Sequence, residues 1–134
     1  MKQTIQRIGV MSWLACVALL FIPISAAAQS VALKSGESTD LGAVYWVESC
    51  QSIVNSFIGV EILEGPPGVV IALREQPVRA RRQNCPNEVP GAIVTITAKE
   101  VTEKTSATIR YRVKYDTEDG KKQSNHTVKI DLYP

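Results

Sequence analysis

Apolar and polar residues alternate along most of the chain after Gln29, with the period of two that is typical of half-buried β-strands. These segments are rich in Val, Ile, Thr and Tyr, which favour strands, and no apolar pattern keeps helical spacing for more than about two turns. Residues 51–57 fit one turn of helix as easily as a bent strand, and we assign them to a loop or a short helix. We predict seven strands, at residues 30–34, 41–48, 58–63, 69–75, 92–101, 108–115 and 123–133. Seven short strands predict an all-β, two-sheet antiparallel sandwich.

The last two predicted strands form a hairpin whose register can be read from the sequence. Asp119-Gly120 is a favoured two-residue turn, which places Glu118 opposite Lys121. One face of the hairpin is then apolar and the other polar, as a half-buried pair requires. The predicted pairs are Val113 with His126, Tyr111 with Val128 and Ile109 with Ile130 on the apolar face, and Arg112 with Thr127, Lys114 with Asn125 and Arg110 with Lys129 on the polar face.

The amino end has the order of parts of a signal peptide. Lys2 and Arg7 precede an apolar run at residues 10–24 and the small residues 25–28. The run of about fifteen residues is shorter than the ~20 that span a bilayer. An Ala-x-Ala pattern at residues 26–28 predicts cleavage before Gln29. We therefore expect a signal peptide at residues 1–28, a β-sandwich domain at 29–134 and no membrane anchor after cleavage.

Cleavage removes the excess positive charge of the chain. The full sequence has 15 Lys and Arg against 13 Asp and Glu, and Lys2 and Arg7 leave with the leader, so the mature part has no formal net charge. Overall basicity therefore gives no argument for nucleic acid, and we predict no nucleic-acid partner. Any electrostatic function must reside in local patches.

Two cysteines remain after cleavage, Cys50 and Cys85. An even pair in an exported chain predicts a disulfide, because the compartment is oxidising. The alternative is a pair of free thiols available to catalysis or to a metal. Trp46 lies four residues before Cys50, and a straight strand would let its indole pack on the disulfide.

The sequence contains no recognisable catalytic set. It has one histidine, no Gly-x-Ser-x-Gly and no phosphate-binding glycine loop. His126 cannot build a zinc site alone, and the carboxylates lack calcium-loop spacing, so we predict no metal and no cofactor. Because His126 faces the apolar side of the predicted hairpin, we expect a packed, hydrogen-bonded histidine. These observations favour a protein that is not an enzyme.

Basic residues concentrate at two places. The polar face of the last hairpin has Arg110, Arg112, Lys114 and Lys129, and the predicted Arg110–Lys129 pair requires compensation by an acid such as Glu100 or by an anionic partner. The second place is an arginine-dense loop that ends at Cys85. Both are either solvated surface or sites for an acidic partner. The basic side chains of this loop are those of Arg79, Arg81 and Arg82.

The strand count, the cysteine pair and Trp46 resemble an immunoglobulin-like sandwich. In antibody-type domains the tryptophan lies between the cysteines, whereas here Trp46 precedes both, so the resemblance implies the sandwich and not its disulfide. The segments at residues 44–47, 63–68, 81–85 and 124–134 also resemble a group of small exported bacterial proteins. That resemblance implies a periplasmic or secreted protein and no activity.

These expectations define a function to be tested. We predict a non-catalytic binding or adaptor module of the bacterial envelope, with an acidic envelope protein or polymer as its partner. The alternative is an inhibitor of a secreted protease that acts through the loop at residues 79–84. The oligomeric state is open, because a terminal strand pairs as readily across a dimer edge as within one chain.

Overall fold

The computed structural model describes residues 30–134, so the predicted signal peptide and its cleavage site lie outside the described residues. The described part is all-β, as predicted, with one 3₁₀ turn at Arg81–Gln83 and no α-helix. Within it, no helix is long and apolar enough to cross a membrane. The strands are β1 (Ser30–Lys34), β2 (Ser38–Val44), β3 (Val47–Glu48), β4 (Gln51–Ser52), β5 (Val54–Glu64), β6 (Val69–Arg79), β7 (Glu88–Ala98), β8 (Thr105–Thr117) and β9 (Gly120–Tyr133).

The strands form two main sheets and one small hairpin. The four-stranded sheet has the order β1-β9-β8-β5, the three-stranded sheet has the order β2-β7-β6, and β3 pairs with β4. Neighbouring strands are antiparallel except β1 and β9, which run parallel with Ser30 opposite Lys129. The prediction of purely antiparallel sheets is therefore wrong at β1.

The main apolar core takes side chains from both sheets. Val94 and Ile96 of β7 are almost fully buried, as are Ile109 of β8 and Ile130 of β9. Each is one of a set spaced two residues apart, because successive side chains of a strand point to opposite faces. Full burial of an aliphatic side chain contributes roughly 1.5–3 kcal/mol to stability. The alternation of buried and exposed positions therefore stabilises the packing of the two sheets.

The last hairpin has the predicted faces and a different register. Thr117 pairs with Gly120, so Glu118 and Asp119 form the turn. The Thr117 hydroxyl donates to the Gly120 carbonyl (2.9 Å) and accepts from the Asp119 N–H (3.2 Å), which closes the turn one residue early. All six predicted pairs are wrong by two residues. Because the shift is even, every side chain keeps its predicted face.

The segment at residues 51–57 is extended, and neither a loop nor a helix. It contains β4 and the start of β5, whose pairing with β8 shifts between Val54 and Ser56 and again between Phe57 and Gly59. Each β-bulge adds a residue on one strand and so interrupts the period-two pattern. The alternation of apolar and polar residues therefore does not reveal this strand.

One predicted strand ends later than expected and another begins earlier, because each continues through a proline just outside its predicted bounds. β6 continues through Pro77, which lies opposite Pro90 of β7. β6 is an edge strand, and pairing of β2 with β7 ends at Ala92, so neither proline removes a ladder hydrogen bond between sheet neighbours. The structure corrects the predicted ends at Glu75 and Ala92 accordingly. At the other end, β7 stops at Ala98, before the predicted Val101.

Trp46 packs against the main apolar core, whereas the disulfide cysteines belong to a second cluster. Its ring stacks on Tyr115 at 3.7 Å between centroids and lies 6.2 Å from Phe57, within the main core. The prediction assumed one straight strand from Trp46 to Cys50. The chain instead leaves β2 at Val44 and turns into the β3–β4 hairpin, and Cys50 packs against the smaller apolar cluster.

Candidate functional site

The basic face of the last hairpin is largely neutralised by strand β5. Arg110 Nη1 contacts Glu64 Oε1 at 3.0 Å, and Arg112 Nη1 and Lys114 Nζ contact Glu61 Oε1 at 3.5 and 3.1 Å. β5 lies beside β8, which brings these acids to the basic side chains. These ion pairs reduce the charge that this face offers to a partner.

The predicted opposition of Arg110 and Lys129 is wrong. Lys129 lies opposite Thr108, and Arg110 lies opposite Thr127. The expected compensation by Glu100 is therefore unnecessary, and the acid that contacts Arg110 is Glu64.

The loop at residues 79–85, called here the arginine loop, differs from that face in its lack of acidic partners. Arg79, Arg81 and Arg82 are exposed, and none forms an ion pair with another residue of the described part of the chain. Arg79 lies opposite Glu88 in the β6–β7 ladder, but their charged groups are not in contact. Three guanidinium groups are therefore available to an external anion.

The arginine loop is closed and anchored at both ends. Ala80 and Cys85 are buried, and the Cys85 N–H donates to the Ala80 carbonyl at 3.4 Å. Between them the Asn84 N–H donates to the Arg81 carbonyl at 3.2 Å, with Asn84 in the left-handed region at φ 51°. Asn tolerates this conformation better than most residues. The buried ends hold the loop while its arginines point outward.

A second, smaller apolar cluster contains the two buried residues at the ends of the loop. It contains Val78, Ala80, Cys85 and Val89, separate from the main core. The structure brings Cys85 to disulfide distance from Cys50, with their Cα atoms 5.4 Å apart, as the sequence predicted. The disulfide joins the loop to the β3–β4 hairpin.

That hairpin has an unusual turn. Glu48 pairs with Gln51, so Ser49 and Cys50 are its two central residues, with φ of 50° and 60°. Two-residue hairpins prefer positive φ at both positions, which is why Asn-Gly is usual there. A residue with a Cβ is disfavoured in this region by roughly 1–2 kcal/mol. The turn holds the disulfide at a cost in backbone strain.

Two concave surfaces flank the arginine loop and share Arg82. A groove of about 510 Å³ is lined by all three arginines and by Tyr45, whose hydroxyl accepts a hydrogen bond from the Arg82 N–H at 3.4 Å. A cleft of about 550 Å³ lies on the other side of Arg82, between the end of β2 and the inner face of β8 and β9. We call the second of these the Arg82 cleft.

The floor of the Arg82 cleft contains a stacked histidine. The rings of His126 and Tyr111 are 5.1 Å apart and nearly parallel, and His126 Nε2 is 2.9 Å from the Ser124 hydroxyl. His126 is half-buried on the same face as Val128, where the sequence placed it. Burial lowers the pKa of His126, and the positive charge of Arg82 lowers that pKa further.

The Ser124–His126 contact alone does not define a nucleophile. A serine–histidine pair acts in catalysis when a third group orients the imidazole. In residues 30–134 the only hydrogen bond of the His126 ring is the one to Ser124. The described residues also contain no group of three or more His, Cys, Asp or Glu side chains that would hold a metal ion.

The sequence pointed to part of this site. It identified the arginine loop and the disulfide, and it missed the cleft. Ser124 and His126 share one face of a strand because they are two residues apart, which is a readable signal. The approach of Arg82 to them depends on how the two sheets pack, and no local pattern reports it.

The chain matches no protein-family model, and no curated protein or solved structure is significantly similar to it. The geometry of the site is therefore the basis for assigning a function.

Proposed function

We propose that this protein is an exported, non-catalytic binding module that uses the arginine loop to bind an acidic protein of the bacterial envelope. The observation that carries the proposal is that Arg79, Arg81 and Arg82 are exposed and without ion pairs in the described chain, on a loop anchored by Cys85. Arginine suits this role because its planar fork binds carboxylates through two hydrogen bonds.

We further propose that the fold is an immunoglobulin-like sandwich. Constant-type immunoglobulin domains have sheets ABED and CFG. If β2, β5, β6, β7, β8 and β9 take the letters B to G in order, the observed sheets are BED and CFG. The first strand differs, because β1 lies beside β9 instead of β2. The Cys50–Cys85 bond also differs in position from the immunoglobulin disulfide, as the sequence implied.

Two observations support export to the periplasm or beyond. Residues 1–28 have the parts of a signal peptide, and the Cys50–Cys85 pair fits an oxidising compartment. An envelope location provides a reason for a binding module that is small and cross-linked.

The anchoring of the loop has an energetic consequence for binding. Ordering a flexible side chain at an interface costs about 0.5–1.5 kcal/mol, and ordering loop backbone adds to that cost. The disulfide and the buried Ala80 fix the loop backbone before a partner arrives. Unpaired positive charge also raises the rate of encounter with an acidic surface.

Affinity capture with two charge-matched variants tests the proposal. The mature chain from Gln29 is immobilised and incubated with envelope extract beside a variant in which Arg79, Arg81 and Arg82 become Gln. The matched control changes Arg110, Arg112 and Lys114 to Gln, which removes the same formal charge from the ion-paired face. We expect an acidic protein to be retained by the native chain and the control and lost by the loop variant.

Equal capture by all three proteins, or loss from both variants alike, would contradict the proposal. The second result would show that net charge and not the loop determines binding. Capture of an acidic polymer instead of a protein would change the partner class while keeping the site.

Inhibition of a secreted protease is the second candidate, favoured by the exposure of Arg81 and Arg82 on a disulfide-linked loop. Residues 81–83 form a 3₁₀ turn, which differs from the extended conformation that a protease binds. Incubation with trypsin tests it. Rapid cleavage after either arginine, with full enzyme activity retained, would exclude inhibition.

A further inference from the structure

We propose that the Arg82 cleft binds a single carboxylate of the acidic partner, held between Arg82, His126 and Ser124. This inference rests on the proposed function and assigns part of it to a second surface. The groove on the other side of Arg82 is open to Arg79 and Arg81, so an acidic peptide chain crossing the loop meets the cleft where the two surfaces share Arg82. The occupant we infer is therefore a Glu or Asp side chain of that peptide.

The cleft has the volume of a ligand site. Its volume of about 550 Å³ lies within the range of pockets that take small molecules, roughly 300–1,000 Å³. Its lining includes apolar side chains at and just after the end of β2, those of Val44 and Trp46. It also includes Tyr111, Ser124 and His126 from β8 and β9. An aliphatic stem packs on the apolar side chains, and its carboxylate meets the polar ones.

The polar groups that line the cleft include hydrogen-bond donors, and no acidic side chain of the lining accepts from them. No Asp or Glu lines it. The Arg82 guanidinium and the Tyr111 hydroxyl have no hydrogen-bond or ion-pair partner in residues 30–134. The Ser124 hydroxyl and the His126 ring hydrogen-bond each other. A carboxylate is an acceptor at both oxygens and therefore complements this set.

The charges around His126 couple binding to protonation. The titratable or charged side chains that line the cleft are Tyr45 after β2, Arg82 on the loop, Tyr111 on β8 and His126 itself. Of these, Arg82 lowers the pKa of His126 in addition to burial. A carboxylate between Arg82 and His126 offsets that positive charge and favours the imidazolium form. Binding must then raise the pKa of His126.

This coupling is directly measurable because His126 is the only histidine of the chain. Its ring protons are followed by NMR from pH 5 to 8 in the mature chain, alone and with a capped hexaglutamate peptide. A second arm uses the α-methylamide of N-acetylglutamate, which has one carboxylate, and the matched control variant is Arg112→Gln on the ion-paired face.

We expect hexaglutamate to raise the pKa of His126 in the native chain and in the control. In Arg82→Gln the pKa without peptide is higher than in the native chain, the peptide no longer raises it, and binding weakens roughly tenfold, as for a lost charge-assisted hydrogen bond. Ser124→Ala weakens binding without removing the effect of Arg82. A rise with the α-methylamide of N-acetylglutamate as well means that one carboxylate suffices, and a rise with the peptide alone means that the cleft needs the chain.

Two results would overturn the inference in distinguishable ways. If hexaglutamate shifts the backbone signals of Arg79 and Arg81 while the pKa of His126 stays constant, the cleft is empty and the arginine loop alone binds. If hexaglutamate shifts no signal at all, neither surface binds carboxylates, and the proposed function fails with the inference.

Discussion

Removing the Cys50–Cys85 disulfide is the sharpest test of how the arginine loop is held. The cross-link joins residues 35 apart in sequence. In the chain-entropy model a closed loop of that length stabilises the fold by about 4 kcal/mol. Domains of this size are stable by about 5–15 kcal/mol, so the variant Cys50→Ala with Cys85→Ala remains folded in water with a smaller free energy of unfolding.

The strained turn changes that figure in a predictable way. Cys50 has φ 60°, where glycine is tolerated and a Cβ costs roughly 1 kcal/mol or more. The variant Cys50→Gly with Cys85→Ala loses the cross-link and relieves the strain, so we expect it to lose about 3 kcal/mol. The difference between the two double variants measures the strain at Cys50.

Urea unfolding followed by tryptophan fluorescence provides the assay. Trp46 stacks on Tyr115 in the main core and reports loss of tertiary packing. A loss below about 1 kcal/mol in the alanine variant would refute the entropy argument. Equal losses in the alanine and glycine variants would refute the strain argument while leaving the first intact.

Three further predictions follow from single positions. A methyl group at Gly91 would clash with Val78 and with the backbone of β2, so Gly91→Ala should lower the free energy of unfolding by about 1–3 kcal/mol in a urea titration. Ser49→Gly should raise it by about 0.5–1 kcal/mol, because φ is 50° there, whereas Ser56→Gly in β5 should lower it. The lowered pKa of His126 means that the folded state binds a proton less readily than the unfolded state. The contribution of neutral His126 to stability is therefore fully present above the unfolded pKa near 6.5 and is lost as the pH falls through the folded pKa. His126→Gln should flatten that part of the stability curve, and an unchanged curve would contradict the assignment.

The faces of the last hairpin were predictable from the sequence and its register was not. Alternation assigns each side chain to a face whatever its partner. The partner is decided by the turn, where the hydroxyl of Thr117 makes two hydrogen bonds that a preference for Asp-Gly does not include. An even slip is therefore invisible to the hydrophobic pattern.

The sequence also did not show which of the two basic patches is neutralised by acids. Arg110 and Arg82 look alike in sequence, and only the order of strands in the sheet separates them. Glu64 reaches Arg110 because β5 lies beside β8, a pairing between segments more than forty residues apart. Within the part of the chain that the structure describes, no strand brings an acid into an ion pair with Arg82. Local patterns determine which residues are exposed, and topology determines which of them are neutralised.

The parallel pairing of β1 with β9 has a consequence for the order of folding. Ser30 meets Lys129, roughly a hundred residues away along the chain, and domains dominated by such distant contacts fold in milliseconds to seconds. Among the strands of residues 30–134, β9 is the one that pairs with β1, and it also pairs with β8. A nascent chain that lacks its final segment therefore has two additional unpaired edges, on the sides of β1 and β8 that β9 will occupy. The sheet is complete only when β9 pairs with β1 and β8. Any factor that delays β9 leaves these two strands open to pairing with other chains.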